Sequence, residues 1–145
     1  MSDVGLYDAI EAEILSKIGT PSGVVTVAKT LSVDDLINRN GIAKPAVGII
    51  CTGMRRDAPL ATGQSRFYAT TTWQIAVAID NLAGAVNSRT TIYNIFELVR
   101  STLHYQTSAH APGRYLAMNE EWPEQQPEGR IVGVANYELQ VLLGS

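Results

Sequence analysis

The two histidines, His104 and His110, stand six residues apart with no cysteine or acid between them. That spacing is poor for a zinc site. A helix-end histidine favoured by the helix dipole, followed by a loop histidine, fits them better. Four acids, Glu120, Glu121, Glu124 and Glu128, gather around Trp122. Paired carboxylates do acid–base work when one is desolvated. Here they lie among prolines and glutamines, which points to a solvated face or an electrostatic docking patch. Cys51, the lone cysteine, sits in "VGIICTG" and reads as a buried inert thiol. No phosphate-binding loop, dinucleotide fingerprint or nucleophile elbow occurs. The glycines of "GIAKPAVG" lack the spacing to cradle a phosphate. The expectation is a chain that is not an enzyme and carries no catalytic residue, metal or cofactor.

The segment "GMRRDAPLATGQSR", Gly53 to Arg66, lies between two long apolar runs. It carries Arg55, Arg56, Asp57 and Arg66. One reading is a solvated hairpin loop. The other is an interaction arm, since long loops in small domains are uncommon unless functional or disordered. Arginines there are well suited to a partner's carboxylates or carbonyls. Arg55, Arg56, Asp57 and Arg66, with Glu120, Glu121 and Glu124 as a complementary surface, are therefore the candidate protein-interaction residues.

The totals support that emphasis on protein contacts. The formal charge is −3, and arginine outnumbers lysine eight to three. An acidic balance argues against general nucleic-acid binding, whereas arginine enrichment suits protein interfaces. Length, an apolar fraction of 46% and a mean hydropathy of +0.03 fit one soluble domain spanning residues 1–145. No apolar run approaches the ~20 residues that cross a bilayer. The opening "MSDVGLYDAIEAEI" does not resemble a signal peptide, so a cytosolic product is expected.

The elements that must hold these residues follow from periodicity. Leu6, Tyr7, Ile10, Ile14 and Ile18 recur at helical spacing, Ser2 or Asp3 can cap the start, and "GTP" ends the helix. "GVVTVAK" reads as a strand, and a short helix capped by Ser32 follows to about Asn38. The next strand starts after Pro45, with Val47, Ile49 and Cys51 on one face. In "RFYATTTWQIAVAID", Phe67, Ala69, Thr71, Trp73, Ile75, Val77 and Ile79 alternate with residues of the other face. That is a long half-buried strand, and its hairpin with the preceding strand is expected to project from the body. A helix capped by Asn87 or Ser88 carries Ile92, Ile95, Phe96, Val99 and Leu103. "QTSAHAPGR" is a loop, and "YLAMNEEW" a strand with Leu116, Met118 and Trp122 on one face. "PEQQPEGR" is an exposed loop. In the closing strand Tyr137, Leu139 and Val141 face in, and Asn136, Glu138 and Gln140 face out. The order α-β-α-β-β-α-β-β predicts an α+β fold: a mostly antiparallel mixed sheet with two long helices on one face.

"KPAVGIICTGMRR" followed by "RFYATTTWQIAVAIDNLA", with Tyr93 early in a helix and Tyr137, Glu138, Leu139 and Val141 in a late "YEL-V" strand, resembles the Mu-like Gp37 family of phages with contractile tails. The family includes tail terminator proteins. The likeness runs from about Lys44 onward and includes the opening helix. It implies a structural virion protein: a homo-oligomeric, hexameric ring seated on the tail tube. The ring would stop tube polymerisation, hold the top of the sheath and offer a surface to the neck or head-completion protein. The implied location is the neck-proximal end of the tail, reached from the host cytoplasm during assembly. The implied partners are tube, sheath and neck proteins, with no membrane and no specific nucleic acid, although DNA passes through such a ring. Other readings are a different head–tail joining or neck protein, or a small cytosolic ligand-binding α+β domain.

Overall fold

Isoleucine and leucine at helical spacing in the first eighteen residues need an apolar surface to lie on, and a sheet supplies it. The computed structural model describes residues 3–19, 26–29, 46–57, 65–80, 85–125 and 130–144. Helix α1 spans Asp3–Ile18 and buries Leu6, Ile10, Ile14 and Ile18. Tyr7 is half-buried beside them. Gly19 ends α1 in the left-handed conformation (φ 61°), with its N–H donating to the Leu15 carbonyl at 3.0 Å. Glycine adopts that C-terminal conformation without a Cβ penalty.

Five strands follow: β1 Thr26–Lys29, β2 Ala46–Arg56, β3 Phe67–Asp80, β4 Leu116–Gln125 and β5 Arg130–Leu143. Helix α2, Ala85–Leu103, lies between β3 and β4. The sheet order is β1-β2-β3-β5-β4. β1 runs parallel to β2, and every other described pairing is antiparallel. This is the α+β class expected from the sequence. The predicted short helix near residues 32–38 falls outside the described residues.

The period-2 pattern of β3 decides the layering. Ala69, Thr71, Trp73, Ile75, Val77 and Ile79 are buried toward the two helices. Val47 and Ile49 of β2 join them, as do Ile131, Ala135, Tyr137, Leu139, Val141 and Leu143 of β5. Ile92, Ile95, Phe96, Val99 and Leu103 of α2 close the same core. Gly133 lets α2 approach β5, because a Cβ there would stand 3.0 Å from both Ile92 Cγ2 and Phe96 Cζ.

The opposite face of the sheet is not uniform. At one end Ala46, Ile50, Ala76, Ala78, Val132 and Val134 form a second buried cluster. At the other end the same face carries Tyr68, Thr70, Thr72, Gln74, Asn136, Glu138 and Gln140, all at least partly exposed. A side-chain hydrogen bond joins Gln74 to Asn136 at 3.5 Å.

Several local expectations are corrected. α2 begins at Ala85, so Asn87 and Ser88 lie inside the helix rather than capping it. Leu116 and Met118 are 40% and 53% exposed rather than core-facing. Tyr115 fills the core position instead, and a register shift between Ala117 and Asn119 breaks the alternation on which the prediction rested. β4 continues through Pro123 to Gln125, into the segment read as loop. An edge strand tolerates proline because one side of its ladder is free. The hairpin of β2 and β3 is long, but β5 flanks β3 along its whole length, from Phe67 opposite Leu143 to Asp80 opposite Arg130. Among the described residues it therefore lies within the sheet and does not project. Its tip, residues 58–64, falls outside them.

Candidate interaction surface

β2 changes character halfway along. Ala46–Ile50 are buried, and the following six residues, Cys51–Arg56, are all exposed. Two features produce the change. β1 covers β2 only from Ala46 to Ile49, leaving the rest of that edge without a strand among the described residues. A bulge then shifts the register between Cys51 and Gly53, where Cys51 pairs with Trp73 and Gly53 with Thr72. Gly53 takes φ 152°, which side-chain-bearing residues rarely adopt. Bulges re-aim the strand that follows.

Cys51 is accordingly exposed, not the buried thiol expected from its apolar neighbours. Its thiol is still held above the ordinary pKa, first by partial desolvation and further by the Glu11 carboxylate, against a lowering hydrogen bond with the Gly53 backbone.

Beyond the bulge the candidate residues divide into engaged and open groups. Asp57 ends the hairpin ladder, its N–H donating to the Tyr68 carbonyl at 3.0 Å. Its carboxylate accepts from Thr70 Oγ1 at 2.8 Å and from Gln140 Nε2 at 3.0 Å. Those bonds, Gln140 first and then Thr70, hold its pKa below the ordinary value, with Arg55 adding to the effect. Asp57 is thus a strut across β2, β3 and β5. Arg55 reaches Glu138 of β5 at 3.8 Å while its side chain stays 66% exposed. The Arg56 guanidinium lies 4.8 Å from the centre of the Phe67 ring. Arg66 is exposed and has no carboxylate within ion-pair distance among the described residues.

Among the described residues the backbone at this edge is also open. Asp57 faces Tyr68 in a hydrogen-bonded pair, so Arg55 and Gly53 belong to hydrogen-bonded pairs as well. Met54 and Arg56 alternate with them, and their peptide groups point away from β3. Met54 is 46% exposed.

The acids lie at the other edge of the sheet, on strand β4. Glu120 pairs with Arg100 of α2 at 2.7 Å. Glu121 is exposed, and Glu124 sits opposite Val132 in β4. Glu128 falls outside the described residues. The fold does not bring the arginines to these acids within one chain. Sequence reasoning missed the internal partners, Glu138 and Arg100. Glu138 was legible only as an outward residue of β5, and nothing local linked Arg100 to a strand far along the chain.

β4 is a blunted edge where β2 is not. The Ala117 N–H, turned away from β5, donates to His104 Nδ1 at 2.9 Å. Two register shifts and Pro123 interrupt the rest. His104 is therefore a structural acceptor. His110 lies in the 104–115 loop, which Glu13 of α1 ties down. Glu13 accepts from the Tyr115 hydroxyl and, at 2.8 Å, from the Ala109 N–H. Ser108 also bonds Glu13, and these hydrogen bonds together with His110 lower its pKa against the opposing effect of burial. Burial first, then Glu13, pushes the Tyr115 hydroxyl far above its usual pKa.

Clefts open on the surface among the described residues. One of about 500 Å³ is lined by Asp3, Leu6, Arg66, His110, Leu142 and Gly144, among others. One of about 350 Å³ lies between α2 and β4, lined by Tyr93, Phe96, Arg100, Glu120 and Glu121. Among the described residues no three His, Cys, Asp or Glu side chains group to hold a metal ion. No described helix is long and apolar enough to cross a membrane. No protein-family model matches the chain, and a search of curated proteins finds no match.

Proposed function

We propose that this chain is a structural virion protein, a tail terminator. It forms a ring on the tail tube, stops further tube growth, holds the sheath and receives the neck. The observation that carries the reading is the exposed half of β2. Among the described residues it offers open peptide groups, an exposed methionine and two arginines on opposite faces of the strand, Arg55 held by Glu138 beside the Asp57 strut and Arg56 by the Phe67 ring. A surface held that firmly is preorganised, which lowers the entropy lost on binding. The basic end of one sheet edge and the acidic far edge differ, so contacts between copies are head-to-tail, and such contacts close into rings when the rotation permits. The likeness of "KPAVGIICTGMRR" and its partner strand to Mu-like tail terminators points the same way.

The test is mass by light scattering after size-exclusion chromatography, with and without purified tail tubes. The expected result is a hexamer in solution, or a monomer that becomes a ring on tube ends. Replacing both Arg55 and Arg56 by glutamate should abolish assembly and leave the circular dichroism spectrum unchanged. A wild-type chain that stays monomeric and ignores tubes overturns the proposal.

A further inference from the structure

We infer that the cleft between α2 and β4 is a receptor for an arginine side chain, and that its occupant is Arg66 of a second copy of this chain. The inference rests on the ring proposed above and names the contact that would join its subunits.

The cleft has the chemistry a guanidinium needs. Tyr93 supplies an exposed aromatic face, with the buried Phe96 beneath, and Glu120 and Glu121 supply carboxylates. Arginine is recognised by that combination, stacking its plane on a ring and directing its N–H fork at an acid. Arg100 also lines the cleft, but Glu120 holds it at 2.7 Å. That pair cancels, and Glu121 is left as the uncompensated charge among the described residues that line the cleft. Behind the pair, the Tyr137 hydroxyl is buried without a hydrogen-bond partner among the described residues, and both Glu120 and Arg100 act on it electrostatically. An incoming guanidinium that drew Glu120 outward would leave Arg100 free to face that hydroxyl.

The occupant follows from the cations at the hairpin. Arg55 has Glu138 and Arg56 has the Phe67 ring. Arg66 precedes β3, is exposed, and has no carboxylate within ion-pair distance among the described residues. Its own chain cannot deliver it to the cleft. Arg66 stands beside Phe67 and Leu143 at the end of the β3–β5 ladder, whereas Glu120 lies opposite Ala135, well down β5. The separation along the strand is about 27 Å at ~3.4 Å per residue, with the width of the sheet besides. Only another copy can bridge it, and the contact is head-to-tail, as a ring requires.

Charge exchange tests it. Arg66→Glu and Glu121→Arg each alter an exposed side chain, so folding should be preserved. Each alone should weaken subunit association by about tenfold or more, the scale of a close interfacial charge pair. Arg66→Glu combined with Glu121→Arg should recover most of the loss. The assay is the concentration dependence of ring mass by analytical ultracentrifugation at low and moderate salt. If both single variants form rings as the wild type does, the arginine receptor is wrong and the ring stands. If the singles fail and the combination fails equally, the two residues do not meet and the inference falls. A wild-type chain that never leaves the monomer overturns the inference together with the ring.

Discussion

Thr71 is the one buried polar side chain without an aromatic ring among the described core positions, and replacing it by valine should cost more than its size suggests. The Thr71 hydroxyl donates to the Leu139 carbonyl at 2.8 Å and accepts from Trp73 Nε1 at 2.8 Å. Both Thr71 and Trp73 have no solvent exposure, so water cannot replace either bond. Thr71→Val keeps the shape, strands the indole N–H at a cost of about 1–3 kcal/mol and loses a second bond of about 1 kcal/mol. The added methyl returns about 0.8 kcal/mol. The net loss is about 2 kcal/mol, or roughly 4–8 °C in melting temperature for a domain near this size. Thr71→Ser keeps the hydroxyl and removes one methyl, so it should cost only about 1 kcal/mol. Urea unfolding with an unchanged slope would read both. A Thr71→Val, Trp73→Phe double-mutant cycle should show coupling of about 1 kcal/mol. A valine variant as stable as the serine variant, without coupling, would refute the reasoning.

Three further outcomes concern titrating groups. The folded-state pKa of Glu13 is lowered, so its contribution is present above the ordinary carboxylate value of 4.5 and is lost as pH falls through the folded-state value. Thermal melts of the wild type should therefore weaken below that pH, and Glu13→Gln should flatten the acid limb; an unchanged limb would show that the 104–115 loop is held by other means. The hydroxyls of Tyr115 and Tyr137 are raised, so their contribution is intact below their ordinary pKa of 10.0 and is lost as pH rises through the folded-state values. Cys51 should react with a thiol reagent in the native protein, one label per chain and more slowly than a free cysteine at neutral pH, accelerating as pH rises. Labelling that requires denaturant would contradict its exposed position.

The core was legible because its signals are local. Alternation in β3 and the isoleucine spacing of α1 named the buried residues directly, and the burial follows them. What could not be read depends on pairing between distant segments. The exposure of Cys51 arises because β1 stops opposite Ile49 and a bulge follows, and neither is visible in "VGIICTG". Leu116 and Met118 are apolar and suggest core positions, but the place belongs to Tyr115, whose hydroxyl finds Glu13 102 residues away. The candidate arginines and acids were recognised by charge and position. Their separation onto opposite edges, and their division into engaged and open members, required the sheet order.

That division bears on why the surface sits where it does. An exposed edge strand invites pairing with any other chain, and most proteins blunt it. Here β4 is blunted by His104, two register shifts and Pro123, yet the outer half of β2 keeps outward peptide groups at Met54 and Arg56. Its protection is charge instead, with two arginines that repel a like edge and attract an acidic one. A basic strand would meet repulsion from those arginines, and a second β2 would meet its own charges. The bulge before Gly53 frees this half of the strand from the helix-covered core, so the surface can carry charge without placing any of it in the apolar layer. Deleting Thr52 would remove the bulge and the bend it imposes while leaving Met54, Arg55 and Arg56 opposite Thr71, Thr70 and Ala69, so it would re-aim the outer half of β2 without exchanging its faces. Assembly should then fail while Ala46–Ile50 remain packed, which separates the role of the surface from that of the core beneath it.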